Sequence, residues 1–378
     1  MNSVDVAVIG AGIVGLAHAW EAARRGRSVA VFERTARAEA ASVRNFGMVW
    51  PIGQTPGLWY RRALRSRDMW LQLRSEAGVA VSECGSLHAV YEDDEAAVLQ
   101  EFAAADTGMA CEWIEGATAA RRWPALNPDG LKGALHSPTE LCVDPRQALR
   151  LIPKYLAEKY SVQFHFGTPI AAVHMPNIRT AGGESWQARR VFVCGGADFE
   201  TLFPQVFADS GLVKCKLQMM ATGPQPNAWQ LGPHVAGGLT LAHYKAFETC
   251  PSLPKLKARF AAGMPEYVRF GIHVMASQNH LGEVIIGDSH EYGSDIAPFD
   301  KVEIDGLILN YLRKMLRMPD STIARRWHGV YAKHPGTVQF QAEPQPGCAI
   351  VGSPGGAGMT LSFGCADAWW NAHEGETP

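Results

Sequence analysis

The sequence predicts an α/β protein: a doubly wound parallel sheet carrying an inserted α+β domain dominated by an antiparallel sheet. Three observations predict it. An apolar strand, a Gly-x-Gly-x-x-Gly turn and a helix come first, and a second glycine-rich strand-to-helix turn lies near the other end of the chain. Between about 214 and 325 the pattern shifts toward strands followed by one amphipathic helix.

The elements follow in order. Val4–Ile9 reads as a buried strand, Ile13–Arg25 as a helix and Ser28–Phe32 as a second strand, a βαβ unit. Tyr60–Glu76 has helical spacing of Leu and Trp. Asp144 is an N-cap and Pro145 a first-turn proline, opening a helix through about Lys159. Val162–Phe166 and Arg190–Cys194 read as strands. In the inserted part, Val268–Met275 and Gly282–Ile286 read as strands. Lys301–Leu316 reads as a helix with Ile304, Leu307, Ile308, Tyr311 and Leu312 on one stripe. Ala349–Val351 is the last strand before Gly355–Gly358 and a terminal helix. The expected division is a discontinuous nucleotide domain from 1–84, 141–213 and 326–378, with 85–140 and 214–325 forming the substrate-binding domain.

Composition narrows the function. The chain has 378 residues, 47% hydrophobic and 19% charged, enough apolar material for a large core and against wholesale disorder. A formal charge of −2 supplies no polybasic face, and the pairs Arg121-Arg122 and Arg325-Arg326 form no stripe, so nucleic acid is not an expected partner. No apolar run reaches the roughly 18 residues of a membrane span. Eight scattered cysteines without a Cys-x-x-Cys pair suit reduced thiols in a cytoplasmic protein.

Gly10-Ala11-Gly12-Ile13-Val14-Gly15 stands between a strand and a helix. The first glycine permits the tight turn, the second lets the backbone approach a pyrophosphate, and the third allows close helix–strand packing. The helix N-terminus then offers N–H groups to phosphates. Glu33, ending the second strand, sits where a carboxylate accepts from an adenosine ribose and disfavours a 2′-phosphate. The alternative is a glycine-rich turn with no ligand. Gly356-Ala357-Gly358-Met359-Thr360, opening the last helix, would aim N–H groups at the N1/C2=O edge of a flavin, so the expected dinucleotide is FAD rather than NAD.

These motifs resemble the D-amino-acid oxidase and glycine oxidase type of FAD-dependent oxidoreductase over nearly the whole chain. The resemblance rests on the fingerprint, on Glu33-Arg34 with the Ala40-Ala41-Ser42 loop, on Val191–Ala197 including Gly195 and Gly196, and on Arg326-Trp327-His328-Gly329. More narrowly, Ser42–Met48, Ile286–Tyr292 and Gly358–Gly364 resemble a clade found beside phosphonate-utilisation genes, for which oxidation of an aminophosphonate has been proposed. The resemblance implies a Rossmann-like FAD domain; some relatives attach flavin through a cysteine, but no matching motif stands here, so the FAD is expected to be non-covalent. The resemblance places Ser42, Arg44, Asn45, Phe46, Gly47 and Met48 under the flavin, and Ile170 beside the adenine. It also implies oxidation of a C–N bond, with O2 or another acceptor reoxidising the flavin.

The departures point to the substrate. Amino-acid-oxidising relatives carry an arginine two residues beyond the Trp-x-Gly glycine, a bidentate fork for a carboxylate. Here that position is Tyr331, with Lys333 two further on and His334 next to it. A tyrosine hydroxyl and a lysine point charge suit a tetrahedral dianion, with Arg44 or His328 as further donors. The other reading of Tyr331 is a packing aromatic. Tyr244 joins this candidate catalytic set, and His243, Lys245, His273 and Gln278 are further pocket candidates, each with a surface or core reading beside it. No metal site is expected, and Cys348 and Cys365 read as packing thiols. The expected substrate is 2-aminoethylphosphonate or its N-methyl or hydroxy derivative. The alternatives are glycine, sarcosine or a D-amino acid, or a flavin-binding subunit of a larger complex. A homo-oligomer is compatible with all of them.

Overall fold

A computed structural model describes residues 2–352 and 354–373; positions 374–378 of the last expected segment lie outside the described residues. Asn2–Ile9 is the central strand of a parallel array, pairing with Val29–Glu33 on one side and Ser185–Val193 on the other. Gln163–Phe166 extends the array beyond Val29–Glu33, and Cys348–Val351 extends it beyond Ser185–Val193, both in parallel. The chain therefore leaves the central strand to one side and returns on the other. That reversal is a topological switch point, and in open α/β sheets the crevice outside the strand carboxyl ends at such a point is where ligands sit.

The helices Ile13–Arg24, Leu58–Ala77 and Gly358–Ala372 meet through large buried rings. Phe363 stacks edge-on to Trp20 at 5.4 Å and to Trp70 at 5.0 Å. Each such ring removes roughly 150–250 Å² from water. Gly364 lets two of these helices approach, since a Cβ there would lie 2.0 Å from the Arg62 carbonyl oxygen. Pro145–Tyr160 begins as its sequence requires: the Asp144 carboxylate accepts from the N–H groups of Arg146 and Gln147 at 2.9 and 3.1 Å.

Among the described residues the second sheet has nine strands. Its spine, Val213–Pro224, pairs antiparallel with Ile323–Lys333, Glu283–Gly287 and Glu291–Gly293. Met275–Gln278 continues the sheet, then His234–Ala236. The early segment adds Ser86–Val90, Gly133–Ser137 and Glu112–Glu115. The expected limit at 326 falls inside Ile323–Lys333, whose pairing runs on to Lys333. Helix Val302–Met315 buries Ile304, Ile308, Tyr311 and Leu312 against this sheet, with Leu307 at the margin.

One expected strand is corrected. Within 268–275, Val268 belongs to a short helix, Pro265–Arg269, and pairing into the sheet as a strand begins only at Met275. Alternation of Val268, Phe270, Ile272 and Val274 imitates a strand, but Pro265 at the first helical turn fixes the local backbone for a helix, and Val268 is left half exposed. No described helix is long and apolar enough to cross a membrane.

Candidate active site

A cavity of about 990 Å³ runs from the carboxyl ends of the parallel strands to the second sheet. At its first end the backbone makes the shape. Gly10 has φ +108°, and a Cβ there would stand 2.4 Å from the Cys194 carbonyl oxygen, so the turn and the neighbouring strand touch across the switch point. A Cβ on Gly15 would lie 1.9 Å from the Gly10 carbonyl oxygen, the close packing expected of the third glycine. The helix Ile13–Arg24 starts without a side-chain cap from Gly12 and with no acid in its first turn. The helix Gly358–Ala372 likewise starts uncapped. Two such N-termini beside one cavity suit an anionic ligand.

Glu33 is 9% exposed. Its carboxylate accepts from Ala11 N–H at 2.9 Å and from the Thr35 N–H and hydroxyl at 3.0 and 2.8 Å. With about four acceptor positions on a carboxylate, room remains for a ribose hydroxyl. Arg34 pairs with Asp198 at 2.7 Å, joining the second strand to the Gly195-Gly196 turn. Between the ends runs the 42–48 loop. Ser42 Oγ accepts from Ile13 N–H at 3.0 Å, and Asn45 holds the loop by donating to the Ala41 and Ser42 carbonyls. These residues fit an extended dinucleotide, with phosphates at the helix terminus and the ribose at Glu33.

The far end is made of side chains. Tyr331 and Lys333 share one face of Ile323–Lys333, as the two-residue period of a strand requires. The Tyr331 hydroxyl sits 3.3 Å from where a Gly356 Cβ would be, so it reaches the C-terminal glycine turn. Burial holds that hydroxyl well above the usual tyrosine range, so it stays a donor. Lys333 Nζ donates to the Tyr292 hydroxyl at 3.3 Å. Burial lowers its pKa and Lys245 adds to this, with Cys215 and Asp288 opposing. Opposite stands a cluster absent from the sequence expectation as a unit: His243, His273 and His290, one ring nitrogen of each lying within 4.8 Å of the others, with Asp288 beside them.

The family model described as FAD dependent oxidoreductase matches residues 5–369. The chain belongs to that family. FAD is its cofactor, and an oxidoreductase reaction is its class. No curated protein matches it. Among solved structures, glycine oxidase from Bacillus cereus ATCC 14579 is 18% identical, covering 99% of this chain and 96% of its own, with a TM-score of 0.78. The L-proline dehydrogenase from P. horikoshii is 20% identical, covering 100% and 95%, with a TM-score of 0.75. Iminodiacetate oxidase from Chelativorans sp. BNC1 is 19% identical, covering 98% and 96%, with a TM-score of 0.72. At these identities the likeness is one of fold.

In this FAD-dependent oxidoreductase the cavity wall gathers Gly10, Gly12, Ile13, Val14, Glu33, Arg34, Ser42, Arg44, Asn45, Phe46, Met48, Ile170, Gly195, Gly196 and Gly356 through Thr360. Ala11, Gly15 and Gly47 stand behind it as packing positions. Tyr244, His243, Lys245, His273, Tyr331 and Lys333 line the far end. Two candidates are corrected. His328 lies off the cavity wall, because strand alternation opposes it to Tyr331; its Nδ1 pairs with Asp300 at 2.9 Å, and Asp300 also pairs with buried Lys216 at 2.9 Å. Gln278 is off the wall too, its amide bonded to Leu231 N–H and to the Trp229 and Gly282 carbonyls. Arg44 lines the wall, but its guanidinium donates to the Glu39 and His328 carbonyls, which lowers its value as an anion fork. Sequence reading missed Asp288 and His290 as site residues. A single strand pattern gives no signal that they would meet His273.

Proposed function

We propose that this oxidoreductase oxidises the C–N bond of a small amine bearing an anionic tail, and that the tail is a phosphonate. The observation that carries the reading is the far wall: a half-buried Lys333 and the buried Tyr331 hydroxyl, with the half-exposed Tyr292 hydroxyl bonded to Lys333 from outside the wall, where a guanidinium fork for a carboxylate would otherwise be expected. A lysine ammonium and a tyrosine hydroxyl present separately placed donors, which suit tetrahedrally arranged oxygens better than a planar pair. FAD, when bound, supplies the hydride acceptor. The chain's own residues hold the tail, orient the carbon bearing nitrogen toward the flavin and exclude water. Cys348 and Cys365 lie off the cavity wall, and burial pushes their thiols up to about 12 and about 11, which supports non-covalent FAD.

The test is anaerobic bleaching of the yellow protein by 2-aminoethylphosphonate, its N-methyl form, glycine, sarcosine and D-alanine. The phosphonates should reduce it fastest. Lys333→Ala should raise their KM roughly 10- to 100-fold, the loss of one charged hydrogen bond, and leave glycine nearly unaffected. Equal losses for every amine would remove Lys333 from the tail site, and faster reduction by glycine or sarcosine would return the substrate to the amino acids. Bleaching only with a partner protein present would make the chain a subunit of a larger enzyme.

A further inference from the structure

We propose that Asp288 receives the proton of the substrate's ammonium group, with His273 and His290 behind it to pass the proton on. This rests on the amine reading above. His273 N–H donates to the Asp288 carbonyl at 3.2 Å and Asp288 N–H to the His273 carbonyl at 2.9 Å. Residues that exchange both main-chain bonds send their side chains to the same face, and here both line the cavity. Asp288 is 4% exposed and His273 3%. Yet Asp288 Oδ1 and both ring nitrogens of His273 have no hydrogen-bond partner, although Oδ1 and Nε2 stand 3.3 Å apart. Buried polar groups are ordinarily satisfied, so this wall is built to meet a polar group that comes with the ligand.

The kind of group follows from the tautomer of His290. Its Nδ1 lies 3.0 Å from the Gly271 carbonyl oxygen, which only accepts, so Nδ1 carries the hydrogen and Nε2 presents a lone pair. That lone pair is 4.0 Å from Asp288 Oδ2. Two acceptors facing one another call for a donor between them, and a primary or secondary ammonium is one; an oxyanion is not. The other carboxylates on the wall, Glu33, Glu39, Asp198 and Glu200, belong to the cofactor end.

The surroundings support the role. Burial holds the Asp288 carboxyl well above the usual carboxylate range, which makes its ionised form a stronger proton acceptor, and Lys333 from the long strand acts in the opposite sense by favouring that ionised form. Burial acts the other way on His273 and His290, keeping both rings neutral and His290 down at about 4, so a proton reaching them is held only in passing. The hydroxyls of Tyr244, Tyr292 and Tyr331, the Cys215 thiol, Lys245 and His243 complete the titratable neighbours. The step balances simply. One N–H bond of the ammonium breaks, its electron pair stays on nitrogen, and an O–H bond forms at Asp288; nothing is oxidised or reduced. The neutral amine is then the form from which hydride can leave the adjacent carbon.

The experiment compares the flavin-loaded wild type, Asp288→Asn, Asp288→Glu and His290→Gln. Limiting anaerobic reduction by 2-aminoethylphosphonate is measured between about pH 6 and pH 10, a range below the ordinary alkylamine pKa in which the free-amine fraction rises about tenfold per unit. Ethylphosphonate, a tail without an amine, serves as competitive inhibitor. Asp288→Asn should slow reduction roughly 100-fold near neutrality. The deficit should shrink about tenfold per pH unit as the amine deprotonates in solution. Asp288→Glu should recover much of the rate, His290→Gln should give a smaller deficit of the same pH dependence, and ethylphosphonate should inhibit all four alike. A deficit independent of pH, or none, overturns the proposal. If Asp288→Asn fails to hold flavin, the pH dependence of His290→Gln decides. Failure of ethylphosphonate to inhibit the wild type sinks the phosphonate tail alone, and the proton test then runs on whichever amine bleaches the protein. A divalent metal retained stoichiometrically by the wild type and lost in His243→Gln makes the cluster a metal site and overturns the proposal.

Discussion

At the cofactor end of the cavity, Gly10, Gly12 and Gly15 act by what they lack, and the polar groups beside them already have partners: Ala11 N–H on Glu33, Ile13 N–H on Ser42. At the substrate end, long side chains do the shaping, and Asp288 Oδ1 and the ring nitrogens of His273 are without partners. The difference teaches where each end is vulnerable. A site made of backbone is damaged by adding an atom, because the clash is with a main chain that cannot yield. A site made of charges and rings is damaged by removing one, because the groups left behind stay buried and unmatched.

The largest effect should come from adding a single methyl group. Gly15→Ala places a Cβ 1.9 Å from the Gly10 carbonyl oxygen. It should cost about 3 kcal/mol or more and yield protein without flavin absorbance. A yellow, stable Gly15→Ala protein would show that the backbone at the cofactor end can yield after all.

Next is a pH effect confined to the other end. Burial lowers the Lys333 pKa, so its charge is lost as pH rises through a value below the ordinary lysine range. The KM for a phosphonate should therefore climb with rising pH, by roughly the 10- to 100-fold that the charged contact is worth, and Lys333→Arg should shift that climb upward. A KM that stays flat to the ordinary lysine pKa would show that Lys333 is not the group being read. Glu33→Ala should lower FAD affinity about tenfold, one hydrogen bond to a charged group, with substrate preference unchanged. Flavin retention equal to wild type would move the ribose contact elsewhere. Smallest of all, Asp144→Ala should cost about 1 kcal/mol in a denaturant melt, by uncapping Pro145–Tyr160, and touch neither end.

Local chemistry made much of this legible. The Gly10–Gly15 turn, Glu33 at the end of its strand and the Asp144-Pro145 helix start each depend on neighbours within a few residues or on one βαβ unit, so spacing alone reveals them. The inserted region was harder. The stretch 268–274 alternates like a strand yet begins as a helix, because Pro265 outweighs a pattern only four apolar residues long.

The kind of cofactor was legible in the sequence, since a phosphate-binding turn is a local object, and the positions it nominates mostly line the cavity. Which side chains line the far end of the cavity was settled by the tertiary structure alone. Whether His328 or Tyr331 points into the cavity turns on the register of Ile323–Lys333 against Val213–Pro224, and the meeting of His273 with Asp288 turns on two main-chain bonds just beyond the ends of Met275–Gln278 and Glu283–Gly287. Register is fixed by the packing of whole sheets, where a slip of one residue reverses every side chain. No short stretch of the sequence carries that information.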